Sequence, residues 1–149
     1  LKIGDVSLNF LHPDESFVKS LKKGRYKNRN NQSLVFRLDY KNFSALLTGD
    51  IEAEAENYLV ENKAHLLTTI LKLPHHGSKS SSTSKFLKAV QPKAVLVSSG
   101  YLNRFGHPHP SVLSRVQKNG SKIWRTDLNG ALTVITDGKN YEIKSFENN

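Results

Sequence analysis

Apolar and polar residues alternate where the chain opens. In Val6-Ser7-Leu8-Asn9-Phe10 every second position is apolar, which is the period of a strand with one buried face. His12-Pro13 ends the run, because proline has no amide hydrogen for a ladder. The same period returns in Ser33 to Tyr40, where Leu34, Phe36 and Leu38 share a face; Lys41-Asn42 makes a turn and Phe43 to Thr48 returns. Between these runs, residues 14–32 are polar and basic and read as an exposed loop carrying a short helix over 16–22.

Beyond Gly49-Asp50 the pattern changes. Glu52 to Asn62 is rich in alanine and glutamate and predicts a helix, with acids crowding the positive end of its dipole. Thr68 to Leu73 is a largely apolar run closed by Pro74, a buried-strand signal. Phe86, Leu87 and Val90 stand at helical spacing in Ser84 to Val90. Ala94 to Val97 predicts a buried strand, Ser98 to His109 a loop, and Ser111 to Asn119 a helix opened by Pro110 and stopped by Gly120. Strands are expected at 122–125, 131–136 and 141–145, the last two joined by an Asp137-Gly138 turn. Hairpins mixed with strands separated by helices imply an α/β (α+β) fold, a mixed sheet with helices packed on one face. No internal repeat is visible.

Length and charge sharpen this picture. A chain of 149 residues fits a single domain and is long enough for a core without staples. With no cysteine, disulfides, zinc fingers and thiol nucleophiles are excluded. No apolar run reaches the roughly 18 residues of a membrane span, so a soluble piece is expected. Leu1 stands where methionine would, on the threshold of a strand, so the chain reads as part of a longer protein. Lysine and arginine number 22 against 13 acids, a net charge of +9 that predicts attraction to a polyanion, nucleic acid before anionic lipid.

The polar residues that stand out all follow strands. Asp50 follows Leu46-Leu47-Thr48-Gly49, His75 and His76 follow Leu71-Lys72-Leu73-Pro74, and His107 and His109 lie in the loop after Ala94 to Val97. Loops at strand C-termini collect active sites, and a carboxylate with imidazoles from separate strand ends suits a zinc- or manganese-type centre. Plainer alternatives stand beside this one. Asp50 is also placed to cap the next helix. The prolines beside His107 and His109 explain a rigid loop without any ligand role. His12 and His65 read as surface or packing histidines.

Four segments together resemble a known family. Leu46-Leu47-Thr48-Gly49-Asp50-Ile51, Leu73-Pro74-His75-His76-Gly77-Ser78-Lys79-Ser80-Ser81, Asn103-Arg104-Phe105-Gly106-His107-Pro108 and Arg125-Thr126-Asp127-Leu128-Asn129-Gly130-Ala131 stand in order over most of the chain. This order resembles the later part of the metallo-β-lactamase-type domain of the ComEC family of DNA-uptake (competence) channels. Thr-Gly-Asp and His-His-Gly recur across the wider superfamily, whereas the two later segments point more narrowly to the competence proteins.

The resemblance implies a four-layer αββα sandwich, of which residues 1–149 would be the C-terminal half to two-thirds. It implies a centre of two divalent cations, zinc or manganese, and no small organic cofactor. Asp50 would bridge the metals, one of His75 and His76 would be the later ligand, and His107 would be a further ligand or phosphate contact. Ser78, Lys79 and Arg104 would meet phosphate or DNA, as would Lys22, Lys23, Arg25 and Lys27 of the basic stretch. Tyr26, Tyr101 and Phe105 are candidates for stacking on bases. The superfamily's His-x-His-x-Asp-His motif is absent, so it is expected upstream. The metal pair should then be absent or partial in this chain alone, and one sheet face should be uncovered.

The implied role is a metal-dependent phosphodiesterase that degrades the strand not taken up. The implied setting is the extracytoplasmic face of a bacterial inner-membrane protein, with DNA and the remainder of the channel as partners. A non-catalytic DNA-binding module and a small-molecule metallo-hydrolase are the alternatives. DNA affinity of the intact domain is expected to fall steeply with salt, because bound phosphates release counterions. Replacing Lys22, Lys23, Arg25 and Lys27 with glutamine should weaken binding and flatten the salt slope in a titration by fluorescence anisotropy.

Overall fold

The computed structural model describes residues 1–22 and 26–146. Seven strands form one sheet in the order in which they occur in the chain: β1 (Lys2–Ile3), β2 (Val6–His12), β3 (Val35–Tyr40), β4 (Phe43–Leu47), β5 (Ile70–Lys72), β6 (Ala94–Val97) and β7 (Lys122–Arg125). The first four pair antiparallel and the last four pair parallel, so β4 belongs to both regimes. A second, two-stranded antiparallel sheet consists of β8 (Leu132–Thr136) and β9 (Tyr141–Ser145).

The parallel half requires crossovers, and each carries a helix. Helix α2 (Ala53–Glu61) joins β4 to β5, α3 (Ser84–Val90) joins β5 to β6, and α4 (Pro110–Lys118) joins β6 to β7. All three cover one sheet face. Val35, Leu46, Leu71, Val95 and Val97 from the sheet meet Ala55, Leu59, Phe86, Leu87, Val90, Val112 and Val116 from the helices in one buried cluster. Each fully buried aliphatic or aromatic side chain there contributes roughly 1.5–3 kcal/mol. The mixed sheet with helices on one face is therefore as the pattern predicted.

The opposite face is only partly open. Val134, Tyr141 and Ile143 of the β8–β9 hairpin pack on Phe43, Ile70, Ala94 and Trp124. Beside the hairpin a groove of about 440 Å³ remains, lined by Val6, Leu38, Tyr40, Leu47 and Leu96 among others. The expectation of a bare face is thus corrected: a hairpin from the chain's own C-terminal end covers part of it.

Within residues 14–32 the expected short helix forms, starting one residue earlier than the predicted 16–22. Asp14 Oδ1 accepts from the Phe17 amide at 2.7 Å and opens helix α1 (Glu15–Lys22). Phe17 is fully buried, its ring 4.2 Å from that of His12. A 3-10 turn follows at Arg29–Gln32. Its asparagines dock instead of being solvated: Asn31 Oδ1 accepts from the Glu52 amide at 2.8 Å and its Nδ2 donates to Glu54 at 3.0 Å. Lys23 and Arg25 lie outside the described residues. His12 is a packing histidine, buried with Nε2 on the Asn31 carbonyl at 2.7 Å, whereas His65 is exposed. No helix among the described residues is long and apolar enough to cross a membrane.

One buried charge holds the helical layer together. Glu56 of α2 is wholly buried and accepts from the Ser82 amide through Oε1 and from the Thr83 amide through Oε2, at the start of α3. Arg115 of α4 donates to the Ser82 and Ser81 carbonyls, both at 2.9 Å. Burial raises the Glu56 carboxyl above its ordinary value, against the pull of those amides and of Arg115. The native chain therefore holds this proton more tightly than the unfolded chain does. The contribution is full below the unfolded carboxyl value and falls away as pH rises through the raised one. Glu56→Gln would set an amide N–H against a backbone donor and is expected to cost about 1–3 kcal/mol. Urea unfolding at about pH 7 checks the loss, and repeating it at about pH 4 checks that wild type alone carries the Glu56 part of the slope.

Candidate active site

The parallel strands β4, β5 and β6 release their C-termini at one edge of the sheet, and three hydrogen bonds bind those ends together. Thr48 Oγ1 donates to the Lys72 carbonyl at 2.9 Å, the His75 amide donates to the Gly49 carbonyl at 3.1 Å, and the Leu73 amide donates to the Leu96 carbonyl at 2.9 Å. Gly49 turns there at φ +53°, and a Cβ would stand 2.8 Å from that of Ser33. Asp50 thereby leaves β4 facing the residues that leave β5. It does not cap α2: the N-cap position belongs to Glu52, which makes no side-chain capping bond.

Pro74–Gly77 forms a tight 3-10 turn in which two non-glycine residues take left-handed backbone angles, His75 at φ 45° and His76 at φ 54°. Each costs on the order of 1–2 kcal/mol. Such strain persists only where the surroundings over-determine it, and it clusters at functional sites. Gly77 follows at φ +79°; a Cβ there would meet Pro108 Cβ at 2.7 Å. Only glycine lets the His107 loop come this close, and the His109 amide closes the contact on the Gly77 carbonyl at 2.9 Å.

The side chains converge. Asp50, His75, His76 and His107 line one cavity of about 360 Å³ with Ser99, Gly100, Asn103 and Phe105. His76 Nδ1 lies 2.7 Å from the Ser98 carbonyl. A carbonyl only accepts, so Nδ1 carries the hydrogen and the neutral ring leaves Nε2 bare. That Nε2 stands 3.5 Å from Asp50 Oδ1. Two lone-pair donors thus face each other, an arrangement that calls for a proton or a cation between them.

His75 sits behind this pair. Its Nδ1 is 3.2 Å from Glu52 Oε1, near enough for ion pairing but not aligned as a hydrogen bond. Burial works to raise the Glu52 carboxyl, yet hydrogen bonds from Asn30, Asn28 and Ser80, with His75 nearby, hold it below its usual value overall. The His75 and His107 rings lie 5.8 Å apart. Burial foremost, then the neighbouring His75, His76 and His109, push His107 below the ordinary histidine value. His107 therefore enters the cavity as the neutral imidazole at pH 7. Lys72 is lowered by burial, and the Asp50 charge opposes that shift. Among the described residues no group of three or more histidine, aspartate or glutamate side chains is gathered closely enough to hold a metal ion.

Other anticipated residues are placed differently. Ser78 Oγ pairs with Ser80 Oγ at 3.0 Å and Lys79 is exposed; neither lines the cavity. His109 is a helix cap: its Nδ1 accepts from the Ser111 amide at 3.2 Å. Lys27 is exposed and borders a separate hollow with Glu52 and Ser80. Lys22 ends α1. Tyr26 is half-buried and stacked on Phe17, with ring centroids 4.5 Å apart. Arg104 lies over the Phe105 ring at 5.0 Å, at the cavity rim.

Several working parts were not singled out from sequence. Glu52 read only as a dipole acid, yet it supports His75 and receives Asn30 at 2.8 Å. The Arg125-Thr126-Asp127 segment was noted without a role. Thr126 Oγ1 donates to the Ser99 carbonyl at 2.8 Å and accepts from the Ser99 amide at 2.9 Å, which pins the backbone beside the carbonyl that orients His76. Arg125 grips Asp127 through two bonds of 3.0 and 2.5 Å, and those bonds hold the Asp127 carboxyl below its usual value. The His76 strain has a direct readout. His76→Gly and His76→Ala both delete the imidazole, but only glycine is unstrained at this φ. His76→Gly should be more stable than His76→Ala by about 1 kcal/mol in urea unfolding.

No protein-family model matches the chain. It is 35% identical over 132 residues to ComE operon protein 3 of Bacillus subtilis, covering 89% of this chain and 16% of that protein. It is 39% identical over 128 residues to competence protein ComA of Neisseria gonorrhoeae, covering 85% of this chain and 17% of that protein. It is 34% identical over 105 residues to recombination protein 2 of Haemophilus influenzae, covering 70% of this chain and 13% of that protein. The chain spans less than a fifth of the length of these relatives. On this similarity, the chain belongs to the ComEC family of competence proteins and matches one segment of its longer members.

Proposed function

We propose that this chain contributes the later half of a metal-dependent phosphodiesterase centre that cuts DNA during uptake. One observation carries the reading: Asp50 Oδ1 and the bare Nε2 of His76 face each other at 3.5 Å, with the imidazole fixed by the Ser98 carbonyl. A carboxylate and an oriented imidazole are the donor types that zinc and manganese accept. Both donors emerge from parallel strand ends, where α/β folds hold their chemistry.

Asp50 and His76 fit such a centre as two of its ligands, and the other donors would come from residues outside this chain. The chemistry that paired divalent cations supply there is acidification of a bound water and neutralisation of charge on phosphate oxygens. Asp50 brings the negative charge that a cation pair would share. The Ser98 carbonyl keeps His76 in the tautomer that presents Nε2. His107, neutral at pH 7, is suited to donate one N–H to a phosphate oxygen. The charge of +9 fits a polyanionic substrate. In this reading the domain sits on the extracytoplasmic side of a bacterial inner membrane, beside the rest of the channel.

The test is phosphodiester cleavage by the full-length protein with manganese or zinc. Asp50→Ala should abolish it, a loss of about a hundredfold or more, because the shared charge is gone. The chain alone should cleave little. Full metal-dependent cleavage by Asp50→Ala would sink the assignment. DNA that wild type binds but never cuts would identify a binding module of the same fold.

A further inference from the structure

The loop between β6 and α4 does something that polar loops usually avoid. It displays Tyr101, Leu102 and Phe105 at 76%, 84% and 69% exposure. The display is built, not slack. Asn103 Nδ2 donates to the Gly100 carbonyl at 2.9 Å and to the His107 carbonyl at 2.6 Å, and Asn103 Oδ1 accepts from the His107 amide at 3.0 Å. One asparagine thus braces both ends of the loop and holds the rings out.

Their placement is specific. Phe105 lines the cavity that holds Asp50, His75 and His76. Its ring lies nearly parallel to that of His107, at 16° and 5.9 Å between centroids. An aromatic surface therefore runs outward from the candidate centre. Arg104 adds a guanidinium 5.0 Å from the Phe105 ring. Flat rings beside a cation, in a chain of net charge +9, match the chemistry of a nucleobase joined to a phosphate.

We infer that the Tyr101–Phe105 loop is a stacking platform for an unpaired DNA base whose adjoining phosphate lies at the Asp50–His76 pair. The inference rests on the phosphodiesterase reading and narrows its substrate to single strands. In a duplex each base face is already covered by its neighbours, so a protein ring gains a face only from an unpaired base. Tyr101 and Phe105 stack, and Arg104 meets the backbone or adds its own plane.

The experiment uses the full-length protein, with chelator present so that binding is read without cleavage. The probes are labelled oligothymidine, a matched duplex, and the same single strand with bases removed. Wild type should prefer the single strand over the duplex and lose affinity for the abasic strand. Tyr101→Ala and Phe105→Ala should each weaken single-strand binding about tenfold, while Tyr101→Phe and Phe105→Tyr retain it. Wild-type affinity indifferent to base removal, or alanine variants that bind like wild type, would overturn the platform. Cleavage of bis(p-nitrophenyl) phosphate by wild type with manganese, a substrate without bases, tests the hydrolase reading separately. If that fails while the alanine variants still lose strand affinity, the phosphodiesterase falls and the platform stands.

Discussion

The bond from the His75 amide to the Gly49 carbonyl is the joint on which the rest of the site depends. It ties the end of β4 to the end of β5 at the place where the sheet has just changed from antiparallel to parallel pairing. Parallel strands let their exits share an edge, and this bond fixes the exits against each other. Thr48 strengthens the joint through its hydroxyl on the Lys72 carbonyl. Asp50 and His76 face each other because the backbones on either side of them cannot slide.

The cost of that joint appears in the backbone. Two successive histidines hold left-handed angles, and Gly77 beside them admits Pro108 at a distance that no Cβ would tolerate. A strained turn of this kind needs support from outside itself. Ser81 Oγ donates to the Pro74 carbonyl, Ser98 holds His76, and Glu52 stands behind His75. Glu56 and Arg115 then grip Ser81 and Ser82 from the helical layer. The buried Glu56 carboxylate, costly in isolation, keeps the serine-rich segment in place beneath the site.

The segment after β7 has a comparable role. Arg125, Thr126 and Asp127 form a local knot, and Thr126 fastens Ser99 by two bonds. A segment without chemistry of its own thus supports the histidine turn. It holds the β6 exit, which presents the carbonyl for His76 and launches the aromatic loop.

The sequence by itself determined the elements and where chemistry would gather. Period-two runs pointed to β2 to β4, an apolar run closed by proline to β5 and a short continuous apolar run to β6, and Asp50, His75, His76 and His107 stood out as polar residues after strands. These signals are local, so one chain segment carries each of them whole. Within residues 14–32 the short helix was legible but the docking of the 29–32 turn was not, because asparagine looks solvated until its partners are known; Asn31 is buried because the start of α2 offers it an amide and a carboxylate. Glu52, Ser98, Thr126 and the capping role of His109 were illegible for the same reason. Their meaning lies in a carbonyl, imidazole or amide brought near by folding. Which ring nitrogen of His76 is bare, and that it faces Asp50, was decided by tertiary structure alone, since a tautomer is set by the atom across the hydrogen bond and not by the residue's neighbours in sequence.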